Sequence, residues 1–209
     1  MLAVVISLMP AALGAVYFFG ARALVLIILA AASAVGTEAL CQKLRGVPVK
    51  VNDYSAVVTG ILLAFNLPAH APWWMAVLGS AFAIGIVKEL FGGIGYNIWN
   101  PALAGRVFLQ FAYPTQVSLS KWPVPKALFA SAGSAADAVT AATPLCKEAT
   151  ALPGYHEFIM GRAGDVTGTS YLDLLLGNGL AGSLGETCKL ALLAGAVLLL
   201  VKRYIDWRV

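Results

Sequence analysis

The chain has 209 residues, of which 60% are hydrophobic and 11% charged, with a formal net charge of +4. A soluble domain carries about a quarter charged residues, so these repeated apolar runs of helical length read as a polytopic membrane protein. The basic excess does not indicate nucleic acid, because the lysines and arginines stand at the ends of apolar runs, where they set topology.

Leu2 to Gly20 is the first apolar run, uncharged, with Pro10 inside it. At about 1.5 Å per residue it is long enough to span a bilayer. No basic region precedes it and no small-residue cleavage site stands out, so it reads as a retained span rather than a signal peptide. Arg22 punctuates, and Ala23 to Leu40 makes a second span that ends near Glu38. Gln42 to Asp53 holds Lys43, Arg45 and Lys50, which places this short connection on the cytoplasmic side. Tyr54 to Leu67 is a short third span, closed by Leu67-Pro-Ala-His70-Ala-Pro72. Trp73 and Trp74 fit an interfacial aromatic belt at the start of a fourth span, which runs to Leu90.

Phe91-Gly-Gly-Ile-Gly-Tyr-Asn97-Ile-Trp-Asn100-Pro101 breaks the helical pattern at membrane depth. Irregular backbone cannot face lipid, so this stretch lines an enclosed cavity or forms a re-entrant or tight turn. Asn97, Asn100 and Arg106 are expected to converge there. Ala102 to Phe111 carries the chain outward as a short span. Residues 113–183 form one long hydrophilic segment with no basic excess, and Leu184 to Val201 is the last span. Lys202, Arg203 and Arg208 then mark a cytoplasmic end. Counting spans from the basic loop at Lys43 to Lys50 also puts that end inside and residues 113–183 outside. The two charge signals agree.

The fold class that follows is all-α: a polytopic integral membrane protein of about six transmembrane helices, with a broken or re-entrant segment near residues 91–101 and a long extracytoplasmic loop. Residues 1–209 form a single membrane domain: membrane helices over 1–112, the extracytoplasmic loop over 113–183, the last helix and cytoplasmic end over 184–209. The abrupt end after the last span points to further spans elsewhere in the assembly or in a longer chain.

Charges near or within spans cost about 2.5–3.5 kcal/mol each on insertion scales and face protein, water or a partner. Lys88 and Glu89 read as membrane-edge residues, and Glu186 as an acid opening the last helix, favoured by its dipole. Glu38 admits both an interfacial and a functional reading. Cys41, Cys146 and Cys188 include no close-spaced pair, so they make neither a disulfide framework nor a zinc or iron–sulfur pattern. His70 and His156 are the only histidines, both in loops, which argues against a haem held between two histidines. Gly92-Gly-Ile-Gly95 has no preceding strand and no ribose-binding acid, so it is not a nicotinamide site.

Within the outer segment, Asp137-Ala-Val-Thr140-Ala141-Ala-Thr143-Pro144-Leu145 is crowded by small residues. Two threonine hydroxyls and an upstream acid lie open to a large modifying partner. The stretch resembles the flavinylation motif Asp-x-x-Ser/Thr-Gly-Ala-Thr, with Ala141 where glycine is usual. Phe91-Gly-Gly-Ile-Gly-Tyr-Asn-Ile-Trp-Asn-Pro-Ala-Leu-Ala-Gly-Arg106-Val-Phe-Leu, Phe111-Ala-Tyr-Pro114, Ala142-Thr-Pro-Leu145 and Gly182-Ser-Leu-Gly-Glu-Thr187 follow in the same order as in one membrane protein family. That family is RnfD, the D component of the Rnf ion-translocating ferredoxin:NAD oxidoreductase complex, homologous to the B component of the sodium-pumping NADH:quinone reductase.

The resemblance covers most of the chain and implies an electron-carrying flavoprotein component, half of a urea-transporter-like fold, in the cytoplasmic (inner) membrane of a prokaryote. The family's later membrane helices, which would follow Trp207-Arg208, are missing. Thr143 would carry FMN through a phosphoester made by a flavin transferase outside the cytoplasm, with Asp137 and Thr140 as recognition residues and Pro144 ending the turn. A noncovalent flavin such as riboflavin would sit elsewhere. Arg106, Asn97 and Asn100 are candidates for holding the isoalloxazine or phosphate. Glu38 is similar in position to an intramembrane acid implicated in ion or quinone handling. The implied partners are the other Rnf subunits, including a second flavinylated subunit and iron–sulfur subunits, together with the lipid bilayer. The Rnf component is favoured because the chain starts directly at its first span, without the longer hydrophilic extension of its quinone-reductase counterpart. Broken helices also build substrate paths, so a transporter or scaffold role without redox chemistry stays open.

Overall fold

Apolar runs with little polar interruption fix the first two helices. In the computed structural model, which describes residues 1–49, 53–117, 122–123, 140–141, 183–187 and 189–205, α1 spans Leu2–Phe19 and α2 spans Ala21–Leu44. Gly20 separates them at φ +76, a conformation that ends one helix without blocking the next. Both helices are long and apolar enough to cross a membrane. Leu2, Ile6, Met9, Leu13 and Tyr17 form an exposed apolar stripe on α1, suited to lipid.

Shorter helices follow. They are α3 (Ser55–Phe65), α4 (Trp73–Phe82), a π-helix continuing α4 over Ala83–Glu89, α5 (Pro101–Ala112), α6 (Pro114–Val117) and α7 (Lys189–Val201). α2 packs against α3, α4, the π-helix and α1, while α7 packs along α1. Small residues allow the closest crossings, as expected where helices meet without water to drive them together. A Cβ on Gly60 would lie 2.7 Å from the Ala30 carbonyl oxygen, and one on Gly195 would lie 2.1 Å from that of Ser7. Leu26, Ala30, Ala64, Leu67, Met75 and Leu109 belong to the core between these helices. Phe82 and Phe108 stack face to face with centroids 4.1 Å apart, tying α4 to α5.

The chain breaks where the glycines fall. Gly92, Gly93 and Gly95 all take positive φ, of 113, 95 and 89 degrees, so the backbone turns between the π-helix and α5. Asn100 restarts the helix: its Oδ1 accepts from the Ala102 N–H at 3.0 Å, with Pro101 at the first helical position. Leu90, Tyr96, Ile98 and Trp99 around this break are exposed.

The last helix begins later than the apolar run. Residues 184–187 form a turn docked on α3: Leu184 N–H donates to Leu67 O at 3.2 Å and Gly185 N–H to Phe65 O at 3.0 Å. Those donors serve the end of α3, and Glu186 Oε2 accepts from Ser183 N–H within the turn, so Glu186 precedes α7 instead of opening it. Helices carry the fold, as expected. Among the described residues the exception is a two-residue antiparallel ladder, β1 (Trp122–Pro123) with β2 (Thr140–Ala141), pairing Trp122 with Ala141 and Pro123 with Thr140.

Candidate functional site

Three helical elements bring charge into the interior at one end of the bundle. Lys88, on the π-helix, is 2% exposed and donates to Glu38 on α2, which is 1% exposed. It also donates to Ser55 Oγ at the start of α3, at 2.6 Å. Ser55 Oγ donates in turn to Asp53 Oδ1 at 2.9 Å, and the same oxygen accepts the Ser55 N–H at 2.9 Å. Asp53 thereby holds the first turn of α3, whose preceding residue Tyr54 sits at φ 61. Glu38 Oε2 is buried and makes no hydrogen bond among the described residues.

The neighbouring pair points the other way in charge. Glu89, 4% exposed, accepts from Arg45 at 2.9 Å, and Arg45 also donates to the Glu89 carbonyl. Lys88 and Glu89 are therefore buried and paired inside the protein, and not exposed at its surface. The reason is the π-helix. Its i→i+5 bonding widens the turn, so consecutive side chains diverge less than on an α-helix and both meet α2. Glu38 and Arg45 lie about two turns apart near the end of α2, on one face, where they can receive them.

A cleft of about 440 Å³ opens beside this cluster, lined by Ser55, Thr59 and Lys88 and by Asn97, Trp99 and Asn100 from the break. Asn97 Oδ1 is buried there without a hydrogen-bond partner among the described residues. On the other flank of α5, a groove of about 910 Å³ is lined by Phe82, Val87, Trp99, Leu103 and Phe108. It offers hydrocarbon contact and no charge.

Asn97 and Asn100 thus meet in one cleft, with Lys88 rather than Arg106 as the cation. Arg106 is half-buried on α5, in electrostatic range of Glu186 from the turn before α7. Thr140 enters the two-residue ladder through its backbone. Asp137 and Thr143 lie outside the described residues. The opposite end of the bundle is polar at its rim: Arg22 donates to the His70 carbonyl at 2.8 Å, and His70 Nε2 contacts Gln116 O at 3.2 Å.

Sequence reasoning named Lys88 only as a membrane-edge residue, and it missed Ser55 and Asp53. A signal was present. An adjacent Lys-Glu pair closing one apolar run is matched in reverse by an acid and an arginine about two turns apart at the end of another.

Apolar helices, a glycine break and buried charge at one end fit a helical membrane protein with a polar interior site. The NQR2, RnfD, RnfE family matches over residues 1–209, and the chain belongs to that family. It is similar to the D component of the Na(+)-translocating ferredoxin:NAD(+) oxidoreductase complex of Acetobacterium woodii, 45% identical over 207 residues, covering 99% of this chain and 58% of that one. It is 40% identical to the D component of the ion-translocating oxidoreductase complex of Stutzerimonas stutzeri, covering 100% and 62% of the two chains. It is 39% identical to the D component of the proton-translocating ferredoxin:NAD(+) oxidoreductase complex of Clostridium ljungdahlii, covering 100% and 59%. The chain thus spans about three fifths of the length of these curated relatives.

Proposed function

We propose that this chain is the membrane flavoprotein component, RnfD, of an ion-translocating ferredoxin:NAD oxidoreductase complex, passing electrons between partner redox subunits through FMN esterified to Thr143. The observation that carries the reading is the family match over residues 1–209 together with the Asp137-x-x-Thr140-Ala-Ala-Thr143 stretch. The relatives' names favour the Rnf complex over the quinone reductase served by the same family. Flavin transferase, the other complex subunits and the bilayer are the proposed partners, and Na+ or H+ the translocated ion.

The chain's own chemistry is modest. The Thr143 hydroxyl accepts the flavin phosphate from the transferase, Asp137 and Thr140 present the segment, and the flanking small residues leave access. FMN, when attached, exchanges electrons singly or in pairs, and so can join one-electron centres to two-electron carriers. The tether holds the group in place, and burial and charge around it set its potential. The helical frame anchors both approaches to the segment, through buried Val117 on one side and buried Leu184 on the other.

Intact mass and in-gel flavin fluorescence of the denatured chain test this, beside Thr143→Val, both from a host with an active flavin transferase. The expected result is an adduct of FMN less water on the wild-type chain, absent from the variant. An unmodified wild-type chain would remove the flavin from Thr143 and favour a transporter or scaffold role.

A further inference from the structure

Buried ion pairs are poor sources of stability, since desolvating both charges offsets much of their attraction. A pair deep among membrane helices therefore asks for a use. Lys88 and Glu38 are nearly inaccessible, yet they are not sealed off. Lys88 Nζ–H donates to Ser55 Oγ at 2.6 Å, and Ser55 Oγ–H donates to Asp53 Oδ1 at 2.9 Å. Asp53 is half-buried at the connection between α2 and α3. Each link is within hydrogen-bond distance, and the middle link is a hydroxyl, which can accept one proton while releasing another.

We propose that Asp53, Ser55, Lys88 and Glu38 form a proton relay that loads and unloads a proton on Glu38. The transfer balances without an electron partner. Lys88 passes one ammonium proton to Glu38 Oε1, breaking its N–H bond as the carboxyl O–H forms. The Ser55 hydroxyl, which donates to Asp53 in the resting arrangement, rotates to the Nζ lone pair and gives it its proton, while Ser55 Oγ takes a proton from Asp53, which has drawn it from water. The loaded state holds neutral Glu38 beside protonated Lys88, and reversal returns the proton to Asp53. Glu38 Oε2, unpartnered among the described residues, leaves the carboxyl room to take the proton on either oxygen. Besides Lys88, the charged groups acting on Glu38 are Asp53 and Glu89, and Glu89 is held by Arg45.

The relay deepens the proposed ion-translocating role, in which the protein moves charge as electrons pass. It needs no flavin, so the two ideas fail separately. The test is pH-jump infrared difference spectroscopy on the full chain in liposomes, wild type and Thr143→Val alike. The expected signal on acidification is a protonated-carboxyl C=O band, assigned to Glu38 by its loss in Glu38→Gln.

Ser55→Ala removes the middle hydroxyl and leaves the ion pair. Asp53→Asn keeps an acceptor for the Ser55 N–H and removes the titrating group. Each should slow the appearance of the band about a hundredfold, the low end for a positioned proton-transfer group, and Ser55→Ala, which leaves every charge in place, should not change its final amplitude. Ser55→Thr should restore the rate. No Glu38 band in the wild type would leave a purely structural ion pair and overturn the proposal. An unchanged rate in both Ser55→Ala and Asp53→Asn would overturn it as well, moving proton access to the neighbouring cleft. Loss of the flavin adduct with the band kinetics intact would count against the flavin alone.

Discussion

Lys88 and Arg45 each make a salt bridge to an acid, and their settings give them different weight. Lys88 and Glu38 are 2% and 1% exposed, whereas the Arg45 side chain is 45% exposed against 4% for Glu89. Truncating one partner of a buried pair strands the other charge, at about 3–5 kcal/mol. The Arg45 guanidinium is screened by solvent while Glu89 is buried, so this pair falls between that cost and the about 0–1 kcal/mol of fully exposed pairs. Lys88→Met should therefore lower the unfolding midpoint in detergent more than Arg45→Gln. The double variant Lys88→Met/Glu38→Gln should recover much of the loss, because no charge is left stranded. Equal effects of Lys88→Met and Arg45→Gln would show that water reaches the Lys88 site.

At the scale of elements, the crossings of α2 with α3 and of α1 with α7 rest on glycine. Gly60 has backbone atoms of Ala30 and Ala31 within 2.7 Å of where its Cβ would stand, and Gly195 has Ser7 O at 2.1 Å. Neither neighbour is a flexible side-chain tip, so helices have to separate. Overpacking of this kind costs about 1–3 kcal/mol, which Gly60→Ala should show in denaturation. Gly195→Leu should loosen α7 from α1, read as faster proteolysis at the C-terminal end with the rest of the chain protected. Unchanged protection would mean that α7 is held by something other than this crossing.

The long helices were legible because an apolar run of such length has few alternatives, and the break was legible because glycines, two asparagines and a proline crowd into residues 91–101. Burial of Lys88 and Glu89 was not. Helical pattern reading assumes about 3.6 residues per turn, and the π-turn over Ala83–Glu89 alters which side chains face inward. The late start of α7 was hidden for a different reason. Backbone donors of Leu184 and Gly185 bond to carbonyls of Leu67 and Phe65, a long-range contact that no local signal encodes. Asn97 and Asn100 did meet at the break, but their cationic neighbour is Lys88, since Arg106 lies farther along α5. The Thr143 reading rests on sequence alone.

At the scale of the whole molecule, Val117 and Leu184 belong to one hydrophobic cluster. The described residues on either side of the segment bearing Thr143 are thus tied into the same core of the helical frame. Closing a loop between fixed ends grows only slowly more costly with its length, about 0.6 kcal/mol per doubling. On that footing the stretch bearing Thr143 is expected to behave as a cassette, whose length and sequence can vary without re-engineering the helices. Replacing 118–182 by a short Gly-Ser bridge should leave the helical circular dichroism and unfolding midpoint of the frame nearly unchanged, while abolishing any flavin adduct. Collapse of the helical signal would instead make the stretch part of the frame's own foundation. If the frame stands, evolution could have exchanged the cargo while keeping the chassis.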